Sequence, residues 1–282
     1  MRTWKGICAY IVRTWRGLET YQKAGVFILL LLITIGSLAP WIAPYDPLQT
    51  GTPFQSPSFT HPFGTDNLGQ DNLSRLIYGI MNTIKIAFVA ALVSLAIGVS
   101  VGVYSGYYRG WREDALMGVT DLFLLIPSLP LMILMASYLE PSEWNIVLVI
   151  GFLWWCPTAR VVHARALQVR NQGYVRSALA LGYGGPYIIW HHILPNCKQV
   201  IIAKFTMGVA LAMLAEASLS FLGLGDPLSI TWGSMVNLAY SCGGFANDLW
   251  WWYLPPCIMI TLTAAAFFMV GGRKNEGRRW QI

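Results

Sequence analysis

Few side chains in this sequence have the type and spacing for chemistry. Its four histidines are His61, His163, His191 and His192. His191 and His192 are adjacent, and neighbours on a helix project about 100° apart, so the pair does not converge on one metal ion. Cys8, Cys156, Cys197, Cys242 and Cys257 form no C-x-x-C pair and offer no structural zinc ligand set. No H-E-x-x-H or G-x-S-x-G string occurs. A phosphate-cradling loop needs glycine-rich backbone and a lysine followed by Ser or Thr; no lysine here is followed by either. Glu216 stands inside the apolar run LAEASLSFLGLG, with Ser218 and Ser220 close by. An ionisable group inside lipid is costly unless it is paired or wet. It either faces an aqueous route together with Ser218 and Ser220, or makes a structural hydrogen bond to a neighbouring helix; the second reading is favoured.

The elements that position these residues follow from composition. Of 282 residues, 55% are apolar and only 11% charged, with mean hydropathy +0.51. Soluble domains carry about 25% charged residues, so a multispanning membrane protein is expected. Net charge is +6. That points to basic loops beside a membrane, with no nucleic-acid partner. A crossing helix needs about 20 apolar residues. Six segments qualify, at 24–43, 82–107, 116–139, 145–163, 200–222 and 251–271. The first reads as an uncleaved helix. In the second, Lys85 is expected to snorkel to the interface. In the third, Pro127 and Pro130 predict a kink, and Asp121 is expected to serve a helix N-terminus.

With six spans, all of the 19 basic residues except Arg75 and Lys85 fall on one side. The positive-inside rule then puts both termini in the cytoplasm. Residues 1–23 form a cytoplasmic N-terminal segment, 24–271 the transmembrane unit and 272–282 a cytoplasmic tail. Residues 44–80 and 223–250 are expected as external loops and 164–199 as a cytoplasmic one. Asp66 and Asp71 are expected to cap turns of the first loop. Trp41, Trp144 and Trp250–Trp252 fall at the outer interface, where aromatic belts sit. Only Cys242 lies clearly outside, so no disulfide framework is expected.

The inner loop carries the most informative pattern, QGYVRSALALGYGGPYIIWHHILPN at 172–196. It reads as a small-residue helix, a glycine turn at Gly182–Pro186, a second helix and a stop at Pro195. Ala178 and Ala180 are compact enough to let a partner approach. An amphipathic connector lying on the bilayer fits the same composition.

This segment resembles the cytoplasmic "EAA" loop of ABC-importer permeases: E-A-A, three residues, Gly, nine residues, then I-x-L-P. The matching positions are Arg176-Ser177-Ala178, Gly182 and His192-Ile193-Leu194-Pro195. HPFGTDNLGQDNLSRLIYG at 61–79, LAEASLSFLGLGDPLSITWGSMV at 214–236 and WWWYLPPCIMITLTAAAFF at 250–268 narrow the resemblance to the peptide/nickel permease group. Three positions depart from the pattern. Arg176 replaces the usual Glu, Gly69-Gln70-Asp71 replaces GRD, and Gly271-Gly272-Arg273-Lys274 replaces an acidic tail.

The resemblance implies an all-α, type I importer-like fold of about six transmembrane helices in the cytoplasmic (inner) membrane. It implies a non-catalytic permease subunit that imports di- or oligopeptides, or alternatively nickel or a nickel chelate. A second homologous permease, two ATPase subunits and an external substrate-binding protein are the implied partners. ATP and Mg are then held by the ATPase subunits, with no cofactor in this chain. Tyr174, Val175, Arg176, Ala178, Ala180, Leu181, Gly182 and Tyr183 would form the ATPase-coupling loop, with His192, Leu194 and Pro195 as its stop. A secondary carrier would need several midplane charges and repeated halves, and the sequence shows neither.

Overall fold

The computed structural model describes residues 18–272. The segment before residue 18, with Cys8, and the basic tail from Arg273 lie outside the described residues. The regular elements among those described are helices, apart from one antiparallel bridge between Thr65 and Asp71.

The first span, α1, runs over Thr20–Ser37, and a single turn, α2, follows at Ala39–Ile42. The longest helix, α3, runs over Asn72–Tyr107. At 1.5 Å per residue its 36 residues reach about 54 Å, well beyond the roughly 30 Å hydrocarbon layer. Its start corrects two expectations: the helix begins at Asn72 rather than 82, and the irregular segment after α2 ends at residue 71 rather than 80. Asp71 fixes this boundary as N-cap, accepting from the Ser74 N–H at 2.8 Å. Asp66 caps a turn in the same way, taking the N–H groups of Leu68 and Gln70 at 2.8 and 2.9 Å.

The third hydrophobic stretch is two helices, α4 at Trp111–Leu125 and α5 at Ser128–Tyr138, meeting at 88°. Pro127 forces this break by holding Ile126 extended, at φ −82° and ψ 127°. The fourth is also bent, by 41°, between α6 at Glu143–Leu153 and α7 at Cys156–Arg170. A short helix, α8, occupies Gly173–Ala180, and α9 occupies Gly185–Ile188. A π turn at Ile189–Ile193 then leads directly into α10, Leu194–Phe221. Pro195 was expected to stop a segment, yet helical structure continues through it. It stands in the first turn of α10 behind the wider π ladder, where a missing N–H interrupts little.

A helix absent from the sequence reading, α11 at Trp232–Ser241, lies within the 223–250 segment, and α12 closes the fold at Trp250–Gly271. By length and composition, four helices can cross a membrane, or six spans when each bent pair counts as one.

The central helix α3 packs against α1, α6, α7 and α10. Its contact with α7 depends on Gly98, Gly102 and Gly106, one turn apart. A Cβ on Gly102 would stand 2.6 Å from the Ala159 carbonyl oxygen. Small residues at this spacing let two membrane helices approach closely. Where α3 begins, Arg75 lies 3.4 Å from Asp66, and further along Lys85 meets Glu143 at 2.6 Å. Lys85, half exposed, thus finds a carboxylate partner at the start of α6. Trp41, Trp144 and Trp250 are exposed, as a belt requires, but Trp252 is buried beside Phe54.

Candidate functional site

The segment from α8 to the π turn is mounted on the ends of α3 and α7. Val175, Ile188, Ile193 and Cys197 are buried together with Val103, Tyr107, Val162 and Ala166. Helix α8 ends in a paired cap. The Tyr183 N–H bonds the Ala178 carbonyl at 3.2 Å, and the Gly182 N–H bonds that of Leu179 at 3.0 Å. This closure needs a left-handed residue, and Gly182 supplies it at φ +83°. No atom lies within 4 Å of a Cβ built on Gly182, so that side of the turn is open.

The segment has two faces. Val175 and Ala178 turn inward, which corrects the expectation that Ala178 meets a partner; its small size serves the chain's own packing. Ala180, Arg176 and Gly182 are on the exposed side. So are Tyr174, Leu179, Leu181, Tyr183, Tyr187 and Trp190, with Leu181 at 78% and Trp190 at 67% exposure. Arg176 makes no ion pair among the described residues. Tyr183, Tyr187 and His191 form a stacked ladder with centroid separations of 4.6 and 4.1 Å. His192 lies between this ladder and Tyr174, 6.0 Å from the Tyr187 ring and 5.9 Å from that of Tyr174. The Tyr187 carbonyl holds His191 Nδ1 at 3.0 Å. The sequence pattern located this segment but could not say which of its residues point outward, because that depends on where α3 and α7 end.

Glu216, Ser218 and Ser220 do not act as one group. Glu216 and Ser220 are buried, at 0% and 3% exposure, and Ser220 Oγ donates to Glu216 Oε1 at 2.8 Å. Ser218, two residues on, lies on another face and donates to the Leu214 carbonyl at 2.8 Å. Helix α11 covers this part of α10; a Cβ on Gly233 would stand 2.8 Å from the Ala217 Cα. Glu216 is thus enclosed within this chain, with its hydrogen bond on its own helix and not to a neighbouring one as favoured above, and the geometry does not bring it to one face with Ser218 as the alternative required. Asp121 is corrected too. It stands in the last turn and a half of α4, away from any N-terminus, and pairs with Arg160 of α7 at 2.6 Å.

A bundle of long apolar and bent helices, with a rigid apolar helical segment projecting from one end, defines a multi-pass membrane protein of the permease class. The chain belongs to the family of binding-protein-dependent transport system inner membrane components, whose profile matches residues 98–273. It is 35% identical over 231 residues to a Brucella abortus protein provisionally named a peptide transport system permease, covering 80% of this chain and 78% of that one. It is 34% identical over 216 residues to the oligopeptide transport system permease protein OppC of Bacillus subtilis, covering 76% and 71%. Among solved structures, an inward-facing MetNI methionine ABC transporter chain superposes with a TM-score of 0.59 at 16% identity. That match covers 70% of this chain and 93% of the other, and it bears on the fold.

Proposed function

We propose that this chain is one of two permease subunits of an ATP-driven importer of di- or oligopeptides in the cytoplasmic membrane. Both termini and the α8–α9 segment lie on the cytoplasmic side, where the basic residues of the sequence concentrate. Two ATPase subunits carry ATP and Mg, and an external binding protein delivers cargo. Peptide is the favoured cargo because it is named for the relatives. The chain itself contributes no catalytic group.

The observation that carries this reading is the exposed apolar face of α8 and its turn, held on a buried mount. Tyr174, Leu179, Leu181 and Tyr183 present apolar area that needs a partner. Val175 and Ala178 tie the same helix to α3 and α7, and helical structure continues from Gly185 through the π turn into α10. A displacement of α8 by closing ATPase subunits is therefore transmitted to the spans as a rigid-body movement. Such coupling requires the two permease conformations to differ in affinity for the closed ATPase pair.

The test is co-purification in mild detergent. The unmodified chain is expected to bring down an ATPase subunit, and Leu181→Glu to lose it while still inserting in the membrane. Undiminished ATPase recovery with Leu181→Glu, or concentrative uptake by the chain alone in liposomes, would overturn the reading.

A further inference from the structure

An open groove between α7 and α10 adjoins a narrower recess that reaches in among α3, α6 and α10. The wider one, about 560 Å³, is walled by Leu124 of α4, by Arg160, Val161 and Arg165 of α7, and by Lys204 of α10. Its volume lies within the range of small-ligand sites. The narrower one, about 120 Å³, lies among Ala90, Ile150, Trp154, Met207 and Leu211. Pro157 and Lys204 border both, so a cationic mouth leads into an apolar recess.

The charges in the mouth do not cancel. Arg160 is matched by Asp121 at 2.6 Å. Arg165 donates to the Asn196 carbonyl at 3.5 Å and to the Gln168 amide oxygen at 3.2 Å, and meets no carboxylate among the described residues. Lys204 has no hydrogen-bond or ion-pair partner among the described residues. It stands ten residues into α10, about 15 Å from the start of that helix. By the expected span limits Lys204 lies four residues inside the fifth span and Arg165 just beyond the fourth, so both stand at the cytoplasmic end of the bundle, where an unmatched cation is costly facing lipid and favoured lining a wet groove.

We infer that this groove is a carboxylate subsite on the transport route: Lys204 and Arg165 hold the C-terminal carboxylate of a short peptide, and the apolar recess receives an adjoining side chain. The inference rests on the peptide-importer reading and adds residues to it. The same positive charge repels a free divalent metal ion. The recess, at about 120 Å³, has the volume of a single side chain, which favours peptide over an anionic lipid.

The test uses the assembled importer, nucleotide-free and without binding protein, with trialanine and trialanine amide as probes. The unmodified complex is expected to bind trialanine about tenfold more tightly than the amide, which lacks the carboxylate. Lys204→Gln is expected to reduce this preference to about twofold. Arg165→Gln provides the second measurement should the first variant fail to assemble. Equal binding of both probes by the unmodified complex, or an undiminished preference in the assembled variants, overturns the subsite. Displacement of trialanine by phosphatidylglycerol at fixed detergent, competitive and lost in Lys204→Gln, assigns the groove to lipid and also overturns it. The underlying reading is checked separately by ATP-dependent uptake of tri- to pentapeptides in proteoliposomes with the binding protein. If that uptake is absent, the peptide-importer reading fails. If uptake is present but the probe preference is missing, the subsite alone fails.

Discussion

Ser220 Oγ donates to Glu216 Oε1 at 2.8 Å, one turn along α10, and both side chains are closed off from solvent beneath α11. The second carboxylate oxygen, Oε2, has no hydrogen-bond partner among the described residues. This bond lies within α10 and, with the cover of α11, closes the carboxyl inside the chain. Glu216→Gln keeps the shape and the acceptor for Ser220, so cargo preference and uptake are expected to stay unchanged. Glu216→Ala removes the acceptor and leaves a void, with an expected cost of about 1–3 kcal/mol. Thermal midpoints of the detergent-purified variants, read beside transport of two competing peptides, check both. A changed preference in Glu216→Gln would reinstate a cargo role.

Gly182 has φ +83°, a region where an L-residue costs about 1–2 kcal/mol. Gly182→Val is therefore expected to insert and pack normally but to distort the turn that presents Leu181 and Tyr183. Uptake should fall severalfold while the ATPase subunits still hydrolyse ATP. Gly184, at φ −68°, is the control, and Gly184→Ala is expected to leave coupling intact. The ratio of peptide transported to ATP hydrolysed is the measurement, and an unchanged ratio in Gly182→Val counts against the coupling role.

Gly102 has no room for a side chain, with the Ala159 carbonyl oxygen 2.6 Å and the Val162 Cβ 2.9 Å from a Cβ at this position. Gly102→Leu is expected to separate α3 from α7 and destabilise the fold by more than about 2 kcal/mol, as overpacking does. Because α8 rests on that interface, binding of the ATPase subunits should fall together with folded yield in gel filtration. Gly118→Ala, at a position with nothing within 4 Å, should be silent in the same assay.

Asp71 supports the irregular segment before α3 from both sides. It accepts from the Ser74 N–H at 2.8 Å and lies 2.9 Å from His61 Nδ1. Asp71→Ala removes an N-cap, worth about 0.5–2 kcal/mol. Limited proteolysis is expected to cut within residues 44–71 faster in this variant, with the spans left intact.

The sequence by itself determined the class of the fold. Apolar runs of crossing length, separated by basic and acidic loops, admit little besides a helical membrane bundle, because every backbone group must bond internally in lipid. It also placed the break at Pro127, the turn at Gly182 and the caps at Asp66 and Asp71, since each is set by backbone stereochemistry or a bond a few residues away.

Tertiary structure decided the rest. Burial at Ala178, the enclosure of Glu216, and the partners of Asp121 and Lys85 depend on residues tens of positions distant. Helix α11 escaped notice because ten residues with modest hydrophobicity between glycine-rich flanks read as loop. The groove of Arg160, Arg165 and Lys204 exists only where α7 and α10 run side by side. Local propensity and hydropathy act over a few turns of chain; which face is buried, and which charges meet, is settled only when distant helices pack.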